Sequence, residues 1–154
     1  MEVDVVISWY ATNKYTQEVR SAFQRPTRFL EMPAGPGTDY DKQMVDLGPT
    51  PIQQLCKRFK GDTVRRVALM GFSEGCRGVR VALRSGDGSR VDAAIALDGI
   101  HCEYQDPGKT FQTGLILPWR AFAQKAIEDG RLCAITTSSV VPGPNIVSTT
   151  VTSD

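Results

Sequence analysis

Short, β-branched apolar runs alternate along this chain with segments whose apolar residues recur at helical spacing. Val3 to Ser8 is the first run, brief and continuous, as suits a strand buried on both faces of a parallel sheet. From about Lys14 to Gln24, Val19, Ala22 and Phe23 share one helical face, and Pro26 stands beyond the end. Arg28 to Met32 predicts a second strand. Pro33-Ala34-Gly35-Pro36-Gly37 then interrupts regular structure, and the stretch to Leu47 reads as a long surface loop.

The pattern resumes at Thr50-Pro51, a helix start with threonine as cap and proline in the first turn. Ile52, Leu55, Cys56 and Phe59 follow at helical spacing, with Gly61 as a stop. Val64 to Met70 predicts a strand, Glu74 to Leu83 a helix, and Ser85 to Ser89 a turn. Val91 to Leu97 is the next strand, ended by Asp98-Gly99. Pro118 to Glu128 predicts a helix with Trp119, Phe122, Ala123 and Ala126 on one side, and Arg131 to Thr136 a final strand. This alternation predicts an α/β fold built as a single domain over residues 1–154. It would have three layers, with a mostly parallel sheet of five or six strands covered by helices on both faces. The tail from Pro142 to Asp154, rich in Thr, Ser and Val, fits an extra edge strand or a loop.

Composition narrows the function classes. Eighteen basic and 17 acidic side chains give a net charge of +1, without a long run of either sign. Neither nucleic acid nor an anionic membrane is an expected partner. The amino terminus lacks a basic region and a cleavage site, and no apolar stretch approaches the length of a bilayer span. The expectation is a cytoplasmic protein without a membrane span. Cys56, Cys76, Cys102 and Cys133 are widely spaced and read as free thiols, with no metal site expected.

The chemistry concentrates at Gly71-Phe72-Ser73-Glu74-Gly75. An apolar strand runs into this pentapeptide and a helical pattern leaves it, the context that a nucleophile elbow requires. Glycines on either side let strand and helix approach closely, the serine hydroxyl is lifted above the sheet, and the backbone N–H of Glu74 becomes an oxyanion donor. The alternative is a glycine-rich turn with a serine helix cap and no chemistry.

On these residues the chain resembles the α/β-hydrolase superfamily, most closely small hydrolase-like proteins of bacteria and phages. The likeness spans roughly Val3 to Val140 and includes Leu97-Asp98-Gly99-Ile100-His101 and Thr136-Thr137-Ser138-Ser139. It implies a serine hydrolase acting on an ester or amide, without metal or organic cofactor. Implied substrates are a small molecule or a cell-wall or lipid ester, and association with a virion is compatible with it.

A serine nucleophile needs a base, and His101 is the one histidine in the chain. It follows the strand after the serine turn, so adjacent strands would bring the two together. Asp98 is the first choice of orienting acid, with Glu103 and Asp106 as alternatives. Glu74 is either a helix-start carboxylate or a site acid. By fold analogy, Ser8-Trp9-Tyr10 would supply the second oxyanion donor; Trp9 and Tyr10 serve equally as packing aromatics. The superfamily's order places histidine after the last strand, where this chain has Thr137. That departure motivates a rival reading: a catalytically degenerate scaffold acting as a binding or assembly subunit, in which a homo-oligomer is possible.

Overall fold

The computed structural model describes residues 1–9, 14–106 and 110–138. Tyr10 and the tail from Pro142 to Asp154 lie outside them. The elements are β1 (Glu2–Trp9), α1 (Lys14–Ala22), β2 (Thr27–Met32), α2 (Tyr40–Val45), α3 (Pro51–Cys56), β3 (Thr63–Phe72) and α4 (Cys76–Leu83). β4 (Ala93–Leu97), β5 (Tyr104–Asp106), β6 (Thr110–Phe111), α5 (Thr113–Asp129) and β7 (Leu132–Ile135) complete the order. Single 3-10 turns lie at Ser73–Gly75 and Gly88–Arg90.

Five strands form one parallel sheet in the order β2-β1-β3-β4-β7, and β5 and β6 make a separate antiparallel hairpin. Side chains alternate across the strands, so β1 sends Val3, Val5, Ile7 and Trp9 to one face and Val6 to the other. The first face is closed by α2, α3, α4 and α5 through residues such as Met44, Leu55, Val79 and Phe122. On the opposite face Val19 of α1 and Phe23, just beyond the helix, pack against Val6, Ala68 and Met70. The fold is therefore a three-layer α/β arrangement, as expected. The step from β1 to β2 uses one face and the later steps the other, as the common hand of parallel crossovers requires.

Three local expectations are corrected. The segment from Pro33 to Leu47 is not all loop: Asp39 accepts a hydrogen bond from the N–H of Lys42 at 2.9 Å and caps the short helix α2. Thr50 makes no cap bond at α3; the buried carboxylate of Asp87 accepts instead from the N–H groups of Ile52 (3.2 Å) and Gln53 (2.8 Å). α5 begins at Thr113 rather than Pro118, because the Leu115 N–H closes on the Gln112 carbonyl at 2.9 Å and starts a turn upstream of the proline.

Candidate functional site at the carboxyl end of the sheet

β1 pairs with β2 on one side and β3 on the other, so the chain reverses its direction of travel across the sheet at this point. Open α/β sheets bind ligands beyond the carboxyl ends of the strands at such a switch. Ser73 leaves β3 there. Phe72 is in register with Leu97, so Ser73 and Asp98 leave neighbouring strands at the same level.

The turn around Ser73 is tight. Ser73 has φ +49°, a left-handed conformation that side-chain-bearing residues seldom adopt. A Cβ on Gly71 would lie 2.7 Å from the Cys76 backbone, and one on Gly75 would lie 2.6 Å from the Trp9 carbonyl oxygen. Glycine is thus required at both positions by close backbone approach, not by a positive φ. Gly78, one turn into α4, is held the same way: its Cβ would meet the Trp9 indole at 2.5 Å.

Trp9 is fully buried, and its indole Nε1 donates to Gln43 Oε1 at 3.0 Å. Its side chain is a packing platform beneath α4, so what β1 offers the site is backbone alone. Glu74 follows Ser73 in the 3-10 turn, where its N–H belongs to the exit into α4.

The exit from β4 is unusual in a second way. Asp98 (φ +70°) and His101 (φ +52°) are, with Ser73, the only non-glycine residues of positive φ among the described residues. All three candidate catalytic positions therefore carry left-handed backbone. Such conformations cost on the order of 1–3 kcal/mol each and gather at functional sites. The β4 exit is held from outside: the Asp98 N–H donates to Thr136 Oγ1 at 3.1 Å and the Gly99 N–H to the Thr136 carbonyl at 2.6 Å. Arg80 Nη1 donates to the His101 carbonyl at 3.3 Å.

The partly buried His101 ring sits among charges. Burial and then Arg77 lower its pKa below the ordinary 6.5; Glu74 and Glu103 oppose this, and Arg80 adds to the lowering. The ring is accordingly neutral near pH 7, the state a base needs. Arg77 bridges the two acids, 3.4 Å from Glu74 Oε1 and 2.8 Å from Glu103 Oε1. The expected hydrogen bond, donated by the imidazole N–H to the Asp98 carboxylate, is not made among the described residues. Asp98 Oδ1 is buried without a partner, and its charge is felt by Cys76, whose thiol pKa is raised first by burial. Nor is the Ser73 hydroxyl hydrogen-bonded to the ring among these residues. The charges of Glu74 and Glu103 reach His101, whereas Asp98 is held through its backbone in the turn. The side chain of Asp106 lies outside the described residues.

Two recesses flank the elbow. On the α1 side, an apolar groove of about 620 Å³ runs past Val19, Ala22, Phe72, Leu97 and Asp98 to Thr137. On the α4 side, a polar cavity of about 400 Å³ is walled by Thr38, Tyr40, Glu74, Arg77 and Arg80. Sequence reasoning passed over Arg77, Arg80, Tyr40 and Thr136. The signal for the arginines was their spacing of three on a helix otherwise buried through Val79 and Ala82.

Among the described residues no group of three or more His, Cys, Asp or Glu side chains is arranged to hold a metal ion, and no described helix is long and apolar enough to cross a membrane. No known protein family, curated protein or solved structure matches the chain.

Proposed function

We propose that this chain is a serine hydrolase acting on ester or amide bonds, with Ser73 as nucleophile and His101 as general base. The observation that carries the reading is the left-handed Ser73 on a strand-to-helix turn whose Gly71 and Gly75 leave no room for a side chain. A turn without chemistry would accept a glycine at position 73 and avoid the strain; a hydroxyl held there repays it only if its direction matters.

In the mechanism, the neutral imidazole takes the Ser73 proton as Oγ attacks the substrate carbonyl. The N–H of Glu74 donates to the oxyanion of the tetrahedral intermediate. The carboxylates of Glu74 and Glu103 favour the imidazolium that forms. That imidazolium then protonates the leaving group, giving an acyl-enzyme on Ser73, and water activated by the same ring releases the acid. Asp98 keeps the conformation of the β4 exit and so the placement of the ring.

A fluorophosphonate probe tests the reading directly. Wild-type protein should be labelled and Ser73→Ala should not, while His101→Ala should lower ester turnover by about 10²- to 10⁴-fold. Folded wild-type protein that takes no label would sink the enzyme and leave the rival, a binding or assembly subunit on the same scaffold.

A further inference from the structure

The polar cavity on the α4 side contains a buried charge that the other described residues leave without an ion pair. Arg77 is paired with Glu74 and Glu103, and Arg84 with Asp41. Asp39 is occupied in capping α2. Arg80 has no such partner. It is 7% exposed, yet among the described residues no carboxylate oxygen lies within ion-pairing distance, and its Nε is buried with no hydrogen bond. Among the described residues its hydrogen bond goes to the neutral carbonyl of His101. Burial, followed by repulsion from Arg77, lowers its pKa, while Cys102 and then Asp41 work the other way.

A buried guanidinium is normally retained with an anion beside it, because the lone charge is costly to desolvate. Here the side chain lines an open cavity instead. We propose that this cavity binds a carboxylate group, with Arg80 as its counter-charge. A carboxylate suits it better than a phosphate for two reasons. The planar guanidinium presents parallel N–H donors that a carboxylate accepts in pairs. The walls also carry Asp39, Asp41 and Glu74, which penalise two negative charges concentrated on one head group. Thr38 and Tyr40 complete the lining on the α2 side.

Because Glu74 belongs both to this cavity and to the serine turn, the bound group would lie beside the reacting carbonyl. If Ser73 is the nucleophile, its substrate is an ester or amide that also bears a carboxylate; this extension rests on the hydrolase reading, whereas the binding site does not.

Calorimetric titration of the full chain with succinate, at constant ionic strength set by sodium chloride, tests the site. Saturable binding is expected, roughly tenfold to a hundredfold weaker in Arg80→Gln, with Arg80→Lys in between. Thr38→Leu fills the cavity from its other wall without touching the arginine, and should also abolish binding, which covers the case of an Arg80 variant that fails to fold. Ser73→Ala should bind as wild type does. Wild-type protein that does not bind succinate, or Arg80→Gln and Thr38→Leu variants that bind it unchanged, would overturn the proposal. Inorganic phosphate binding more tightly than succinate would overturn the choice of carboxylate. Fluorophosphonate labelling without succinate binding removes this site alone, and succinate binding without labelling removes the hydrolase alone.

Discussion

The exits from β3 and β4 stand side by side and carry the same kind of strain, but they are held in different ways. After β3, the left-handed Ser73 is clamped by backbone contact: Gly71 against Cys76, Gly75 against the Trp9 carbonyl. After β4, the left-handed Asp98 and His101 are tied by hydrogen bonds from residues distant in sequence, Thr136 and Arg80. The first device is steric and has almost no give, since close-packed backbone cannot retreat. The second is a set of separable polar ties, each worth about 1 kcal/mol. One exit fixes Ser73; the other adjusts His101.

The sharpest break in this comparison is Gly75→Ala, which forces a methyl group to 2.6 Å from the Trp9 carbonyl oxygen. A loss of about 3 kcal/mol is expected from the shift in the urea unfolding midpoint. Thr136→Val, which removes the acceptor for the Asp98 N–H, should cost about 1 kcal/mol in the same assay. It should also lower ester turnover, because the base loses its placement. A cost for Thr136→Val as large as that for Gly75→Ala would erase the distinction.

Ser73→Gly sharpens the comparison from the other side. Relief of the left-handed strain outweighs the extra chain entropy of glycine, so a gain of about 0.5–1 kcal/mol is expected while fluorophosphonate labelling disappears. Ser73→Ala should show no comparable gain, since alanine keeps the strain. A Ser73→Gly protein less stable than wild type would mean that the turn is not strained.

The smallest effect is the pH dependence through His101. Its folded pKa lies below 6.5, so between the two values the unfolded chain binds more protons. The corresponding stability is complete above pH 6.5 and is lost as pH falls through the folded pKa. Turnover, which needs the neutral ring, should decline over the same acid range. His101→Gln should flatten this part of the stability profile when unfolding is followed at a series of pH values.

The sheet was readable in the sequence because its information is local: β-branched runs such as Val3 to Ile7 and Val64 to Met70 alternate with helical spacing. The serine turn was readable for the same reason, its glycines lying two residues on either side. What escaped was set by distant partners. Thr50 looked like the cap of α3, yet Asp87 performs the capping from 35 residues away. Asp98 looked like the partner of His101, but its backbone answers to Thr136, and the ring feels the charges of Arg77, Glu74 and Glu103. The glycines and prolines from Pro33 to Gly37 drew attention from Asp39, whose side chain starts α2. The spacing of Arg77 and Arg80 marked both arginines, but what singles out Arg80, the lack of an ion pair among the described residues, depends on an assembled cavity.

The placement of β1 between β2 and β3 also bears on how the chain acquires its shape during synthesis. Glu2 pairs with Thr63 and Trp9 with Gly71, so one edge of the first strand waits for a segment made some sixty residues later. Pairings this distant are slow to close. A ribosome would have released residues beyond Cys76 before the Trp9 platform could receive α4, and until then the apolar face of β1 is a natural client for a chaperone.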